Sequence, residues 1–167
     1  MPLNLTQLLG EAWCITVAPL STMETLDRMG VTQQREIAEA VRELGERPVL
    51  LAKPAAPGWT LVLQVASTTG WTGLDPAVLY RLSAGGAACS VMSDPNRIQA
   101  TFAADGDVHA TLDLITGARW GTPPEPVLAA FDTTLPFGQR APGVLEAMIG
   151  APIDASLFRD PWTGGTP

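Results

Sequence analysis

The pair Asp105–Gly106, flanked by two apolar-polar alternating runs, constrains this chain more than any other feature. It is a strong hairpin signal between Ala87 and Leu114. A plain two-residue turn would set Phe102 opposite His109 and Ala100 opposite Thr111, mixing apolar and polar residues on both faces. A three-residue loop from Ala104 to Gly106, with Gly106 left-handed at a bulge, sorts them instead. Phe102 then faces Val108, Ala100 faces Ala110 and Ile98 faces Leu112. The opposite side pairs Arg97 with Asp113, Gln99 with Thr111 and Thr101 with His109. Upstream, a four-residue turn from Ser93 to Asn96 pairs Val91 with Ile98 and Cys89 with Ala100, which puts Cys89 on the apolar face. The result is a three-stranded antiparallel meander with one buried and one wetter face.

The remaining chain supplies strands and helices in mixed order. Ala12 to Ala18, Pro48 to Lys53 and Trp59 to Ala66 have strand patterns, the last two joined by a turn from Pro54 to Gly58. Ser21 caps a helix with Glu24 three residues on, Met23, Leu26 and Met29 facing inward and Gly30 ending it. A second helix is expected from Thr32 to Gly45, its stripe formed by Ile37, Val41 and Leu44. Its solvated side carries Arg35, Glu36, Glu39, Arg42, Glu43 and Glu46. Asp75 and Pro76 open a third helix with Val78, Leu79 and Leu82 on its apolar side. Later helices are expected around Val127 to Phe131 and Val144 to Ile149, separated by a loop from Pro136 to Pro142. A short helical turn holds Ile153, Leu157 and Phe158. The expected fold is α+β: an antiparallel sheet of about five or six strands with helices packed on one face, a single domain over 1–158 and a frayed tail over 159–167.

Composition narrows the function. The apolar fraction is 46% and the charged fraction 16%, a globular balance with room for a core. The net charge of −7 repels phosphate backbones and anionic lipid, so neither nucleic acid nor a membrane surface is expected as a partner. Residues Met1 to Gly10 lack the basic start and apolar stretch of a secretory leader, and no apolar run is long enough to span a bilayer. The expected location is the cytoplasm. Two cysteines, Cys14 and Cys89, lie in apolar runs and make neither a disulfide framework nor a zinc set. No nucleotide-loop, zinc-protease or dithiol motif is present, and Asp105–Gly106–Asp107 lacks the further oxygens of a calcium loop. No cofactor and no metal are expected.

The block Gly58–Trp59–Thr60–Leu61–Val62, then Gly70–Trp71, Leu82–Ser83–Ala84–Gly85–Gly86, and Arg119–Trp120–Gly121 after the hairpin, resembles a family of small uncharacterised bacterial domains found mainly in GC-rich soil bacteria. The likeness covers roughly residues 12–150. It implies a compact α+β domain and transfers no catalytic residues.

A few residues stand out chemically. His109 is the single histidine, flanked on its strand face by Asp107 and Thr111 with Thr101 across. A carboxylate–imidazole pair is a general-base arrangement. Trp71, in a polar loop from Ser67 to Asp75, and Trp120 offer aromatic walls, and Arg119 beside Trp120 offers an anion contact or a stacking cation. Trp59 shares its strand face with Leu61, Leu63 and Val65 and belongs to the core. The leading expectation is a non-catalytic binding or accessory module, immunity- or adaptor-like toward a protein partner of basic character. It would bind through the wetter sheet face and the Ser67–Asp75 loop. The alternatives are a small cofactor-independent cyclase, isomerase or hydrolase using His109 as base with Asp107 orienting it, and a carrier of a small apolar ligand.

Overall fold

The computed structural model describes residues 3–38, 43–44, 47–65 and 70–167. Its centre is a nine-stranded antiparallel sheet, wider than the five or six strands expected. In chain order the described elements are α1 (Leu5–Leu9), β1 (Trp13–Ala18), α2 (Thr22–Arg28), β2 (Arg35–Ile37), β3 (Glu43–Leu44), β4 (Arg47–Pro48), β5 (Leu50–Ala56), β6 (Trp59–Val65), α3 (Pro76–Ser83), β7 (Ala87–Asp94), β8 (Arg97–Ala104), β9 (Asp107–Asp113), β10 (Arg119–Gly121), α4 (Glu125–Ala130), α5 (Arg140–Ile149) and β11 (Trp162–Gly165). The main sheet runs β10-β9-β8-β7-β1-β6-β5-β11-β2, and β3 pairs separately with β4. The three strands beyond the expected six are the shortest in the main sheet: β2, β10 and β11.

Helices cover both faces rather than one. Register puts Trp13, Ile15 and Val17 of β1 on the same side as Leu61, Leu63, Cys89, Val91, Ala100, Phe102, Ala110 and Leu112. This Trp13 face packs against Leu5 of α1, Val127 of α4 and Val144, Leu145 and Ile149 of α5. The other side, the Thr16 face, buries Ala18, Val62, Ala52 and Ala88 under Leu26 of α2 and Val78 and Leu82 of α3. Every residue of β1 is therefore buried. Each fully buried Leu or Ile contributes about 1.5–3 kcal/mol, so two covered faces give the sheet two cores.

The hairpin turns are tighter than the alternation suggested. Ala104 pairs directly with Asp107, closing a two-residue turn in which Asp105 and Gly106 both take positive φ (50° and 88°). That is the backbone of the hairpin turn favoured by Asp-Gly. The apolar sorting is rescued further along. Ala103 pairs with Val108 but Phe102 pairs with Ala110, so His109 is the extra residue of a bulge. Phe102 looks across at Ala110, not Val108, and Thr101 at Thr111, not His109. The upstream turn is also two residues, with Asp94 opposite Arg97 and Cys89 opposite Phe102. Beyond the bulge both registers differ from the expected ones by two, which preserves those faces; at the tip the difference is one, so Val108 lies opposite Ala103 and not on the Phe102 side where it was expected. Cys89 is accordingly buried on the apolar face. Arg97 meets Asp94 at 3.9 Å instead of Asp113.

Two further expectations fail. Residues Arg35–Ile37, placed in a helix by the Ile37–Val41–Leu44 spacing, form β2 against β11. The Val41 part of that helix lies outside the described residues. The tail expected to fray beyond Arg159 instead carries β11, inserted between β5 and β2 with Trp162 only 2% exposed. Lys53 Nζ sits 4.5 Å from the centroid of the Trp162 ring, a cation–π contact across the strand pair. Gly164 is needed there, because a Cβ would strike the Leu50 carbonyl oxygen.

Local signals otherwise behave as their chemistry dictates. Ser21 accepts from the Glu24 amide, Asp75 accepts from the Ala77 amide, and Gly150 closes α5 in the left-handed region. Met23, expected inside, is 72% exposed, while Leu26 and Met29 are buried. Helix α5 starts at Arg140, inside the stretch expected to be a loop.

Candidate functional site

A row of side chains crosses the Thr16 face from the sheet edge inward. Trp120 of β10 pairs with Thr111, Thr111 with Thr101, Thr101 with Ser90, and Ser90 with Thr16. The inner end is sealed. Ser90 Oγ donates to the Gly73 carbonyl at 2.6 Å, and Thr16 Oγ1 lies 2.8 Å from Ser90 Oγ, placed to donate to it. Gln64 donates to the Gly70 carbonyl and accepts from the Thr72 amide. The turn over Thr72–Leu74 thus sits on the sheet as a lid for buried polar groups that would otherwise lack partners. Gly73 has no room for a side chain, since a Cβ would collide with Thr16 Oγ1 and Ser90 Oγ.

The outer end of the row is open. Trp120 is 60% exposed, on a strand whose three residues are all exposed. Thr111 is half-buried and Thr101 is buried. Helix α3 overlies the same face nearer the hairpin tip. Its Tyr80, 61% exposed, has ring atoms 3.1 and 3.2 Å from the point where a Cβ on Gly106 would stand. Ser83 Oγ of α3 accepts from the Gly106 amide at 3.1 Å, which fixes the helix to the turn. Tyr80 therefore stands at the start of β9 and Trp120 beside Thr111, separated by roughly 15 Å of extended chain. His109, the extra residue of the bulge, lies along β9 between them.

The structure brings Thr101, Thr111 and Trp120 into one row, while His109 is the unpaired bulge residue of the same strand. Among the described residues His109 and Asp107 share no hydrogen bond or ion pair; His109 is half-buried and Asp107 exposed at the start of β9. Arg119, expected to contact an anion or a ring, is exposed and pairs with Leu112, so it points to the opposite side from Trp120. Trp71 stands apart, half-buried beside a shallow concavity with Gly70, Thr72, Leu74 and Asp75. The Ser67–Thr69 part of that loop lies outside the described residues.

Tyr80 was missed by the sequence reading. Its signal was available: it sits off the Val78–Leu79–Leu82 stripe of α3, an aromatic on the wet side of an amphipathic helix. A second concavity was also missed. It holds about 250 Å³ on the Trp13 side, between α1, the β7–β8 turn and the short turn Phe137–Gln139.

The two thiols are sequestered. Burial pushes Cys14 up to about 12, partly opposed by its hydrogen bond with Thr16. Burial, with Cys14 nearby, pushes Cys89 up as well. Among the described residues no three His, Cys, Asp or Glu side chains gather as a metal set. No helix there is long and apolar enough to cross a membrane. No protein-family model, no curated protein and no solved structure matches the chain.

Proposed function

We propose that this chain is a non-catalytic, cytoplasmic recognition module that binds a protein partner across β9. The observation that carries the reading is the pair of exposed aromatics, Tyr80 and Trp120, on one face of the sheet. Large aromatics with one polar tip are enriched where proteins meet, and they lose little entropy on binding. Thr111 supplies a hydrogen-bonding group between the two rings. Asp105 and Asp107, both exposed, lie at the Tyr80 end. With the net charge of −7 they favour a partner whose contacting segment is basic. Kinship with the small bacterial domains that carry the Gly-Trp-Thr and Arg-Trp-Gly blocks is part of the same proposal.

The test is affinity capture from native extract with three baits: the unaltered chain, Tyr80→Ala/Trp120→Ala, and Phe137→Ala as a control on the other side of the sheet. The reading requires a stoichiometric protein retained by the first and third baits and lost with the second. A partner retained equally by all three overturns the assignment of this face, and no partner at all overturns the module.

A further inference from the structure

We propose that the cleft on the Trp13 side is a second, separate binding site, and that its ligand is a small alkylammonium ion. The cavity of about 250 Å³ is small for a drug-sized molecule and suits a short amine. Its lining combines two acidic residues, Glu11 and Asp94, with the apolar Ile98, Ile115 and half-exposed Phe137 and with uncharged polar residues of α1 and β7, and it contains no lysine or arginine. Carboxylates beside apolar walls fit a positive head on a hydrocarbon tail and disfavour an anion.

Each wall is held by a specific contact, so the cleft is a built feature rather than a gap between loops. Asn4 Oδ1 caps α1 by accepting from the Gln7 amide at 3.1 Å. The same oxygen presses so closely on Gly138 that a Cβ there would clash, which locks the Phe137 turn against the start of α1. Ser93 Oγ donates to the Glu11 carbonyl at 3.0 Å and ties the segment after α1 to β7. Asp94 Oδ1 accepts from the Asn96 amide at 2.9 Å, which fixes the turn that carries the carboxylate. Arg140 lies 4.7 Å from the centroid of the Phe137 ring and donates to the carbonyls of Leu114 and Ile115, anchoring the aromatic wall to the end of β9. Preorganised walls reduce the ordering cost that a small ligand must otherwise overcome. Arg97 approaches Asp94 only at 3.9 Å and is itself exposed, so an ammonium seated in the cleft competes with a weak contact.

The experiment is a two-dimensional amide NMR titration of the full chain with n-pentylammonium, n-pentanol and pentanoate as probes. Saturable shifts are expected around Glu11, Asp94 and Ile115 with the amine. The alcohol should bind about five-fold more weakly, and pentanoate should cause no saturable shift. Glu11→Gln with Asp94→Asn keeps the turn acceptor and should lower amine affinity about tenfold. Tyr80→Ala/Trp120→Ala should leave the titration unchanged, which separates this site from the β9 face. Equal binding of amine and alcohol, unchanged affinity in the Glu11/Asp94 variant, or shifts confined to other surfaces would overturn the site.

Discussion

Replacing Arg140 with methionine should destabilise the fold severely, for a reason unconnected with ion pairing. The Arg140 side chain is buried at 8% exposure and all four of its hydrogen bonds go to backbone carbonyls. Nε reaches Leu135 at 2.9 Å, Nη1 reaches Leu114 and Ile115 at 2.8 Å each, and Nη2 reaches Thr133 at 2.6 Å. One guanidinium therefore gathers the segment after β9 and the segment before α5. Hydrogen bonds from a charged donor contribute about 1.5–3 kcal/mol each, but these four share one group and its desolvation offsets part of the gain. Methionine fills the space and leaves the carbonyls without a donor. Thr133 is exposed and regains water; Leu114 is fully buried and does not. The expected loss is about 3–4 kcal/mol, a large share of the roughly 5–15 kcal/mol that such domains possess. It corresponds to a fall in Tm of roughly 6–16 °C. Arg140→Lys keeps a donor but not the planar fork, and should lose about half as much. Urea melts followed by far-ultraviolet circular dichroism, with an unchanged m-value, give both numbers. A methionine variant within about 1 kcal/mol of the parent would refute the clamp. So would a lysine variant no more stable than the methionine one.

Two further outcomes follow from the titrating groups. Both cysteines are buried, so a thiol reagent at pH 8 should label neither in the folded protein and both in urea; rapid native labelling of one would contradict the packing of β1 and β7. Because burial raises Cys14 from 9.0 to about 12, its contribution to stability is complete below about pH 9 and is lost as pH climbs toward 12, which alkaline melts will show. At the acid end, Thr134 hydrogen bonds hold Asp132 below its ordinary 3.8. Its contribution is present above that value and fades as pH falls through the lower folded one, so Asp132→Asn should flatten the acid limb of a stability-versus-pH curve. An unchanged limb would show that the Thr134 contacts do not persist in solution.

The alternating strands were legible because period-two sorting is a strong signal even when the turn is misjudged. The Asp105–Gly106 turn and the bulge at His109 together give a two-residue displacement, so face assignments survived beyond the bulge while pair assignments did not, and Val108, before the bulge, fell on the other face from the one expected. Arg35–Ile37 was illegible for a different reason. Its helical spacing is local, whereas its partner, Trp162–Gly164, is distant in sequence, and a tertiary ladder overrides local propensity. Gly164 and Gly165 look like fraying signals, yet the Leu50 carbonyl and the Val31–Gln33 segment approach so closely that only glycine fits. Sheet coverage was misjudged because the meander's second face reads as the wetter one, when the Gly73 turn and helices α2 and α3 cover it around Thr16 and Ser90. The exposed half of the candidate site was partly visible through Trp120. Tyr80 was legible as an aromatic off the α3 stripe, but its place over the hairpin turn was not, and Arg140 binds carbonyls, which every residue has and no sequence distinguishes.

The place of β11 has a bearing on biosynthesis. Thr163 lies opposite Ala52, so the outer edge of β5 stays bare while all the intervening chain is translated. At ordinary rates of roughly 5–20 residues per second, that interval lasts several seconds. An uncovered edge of this kind is a template for pairing with neighbouring nascent chains. The tryptophan-led closing segment is what covers that template once it has emerged from the ribosome.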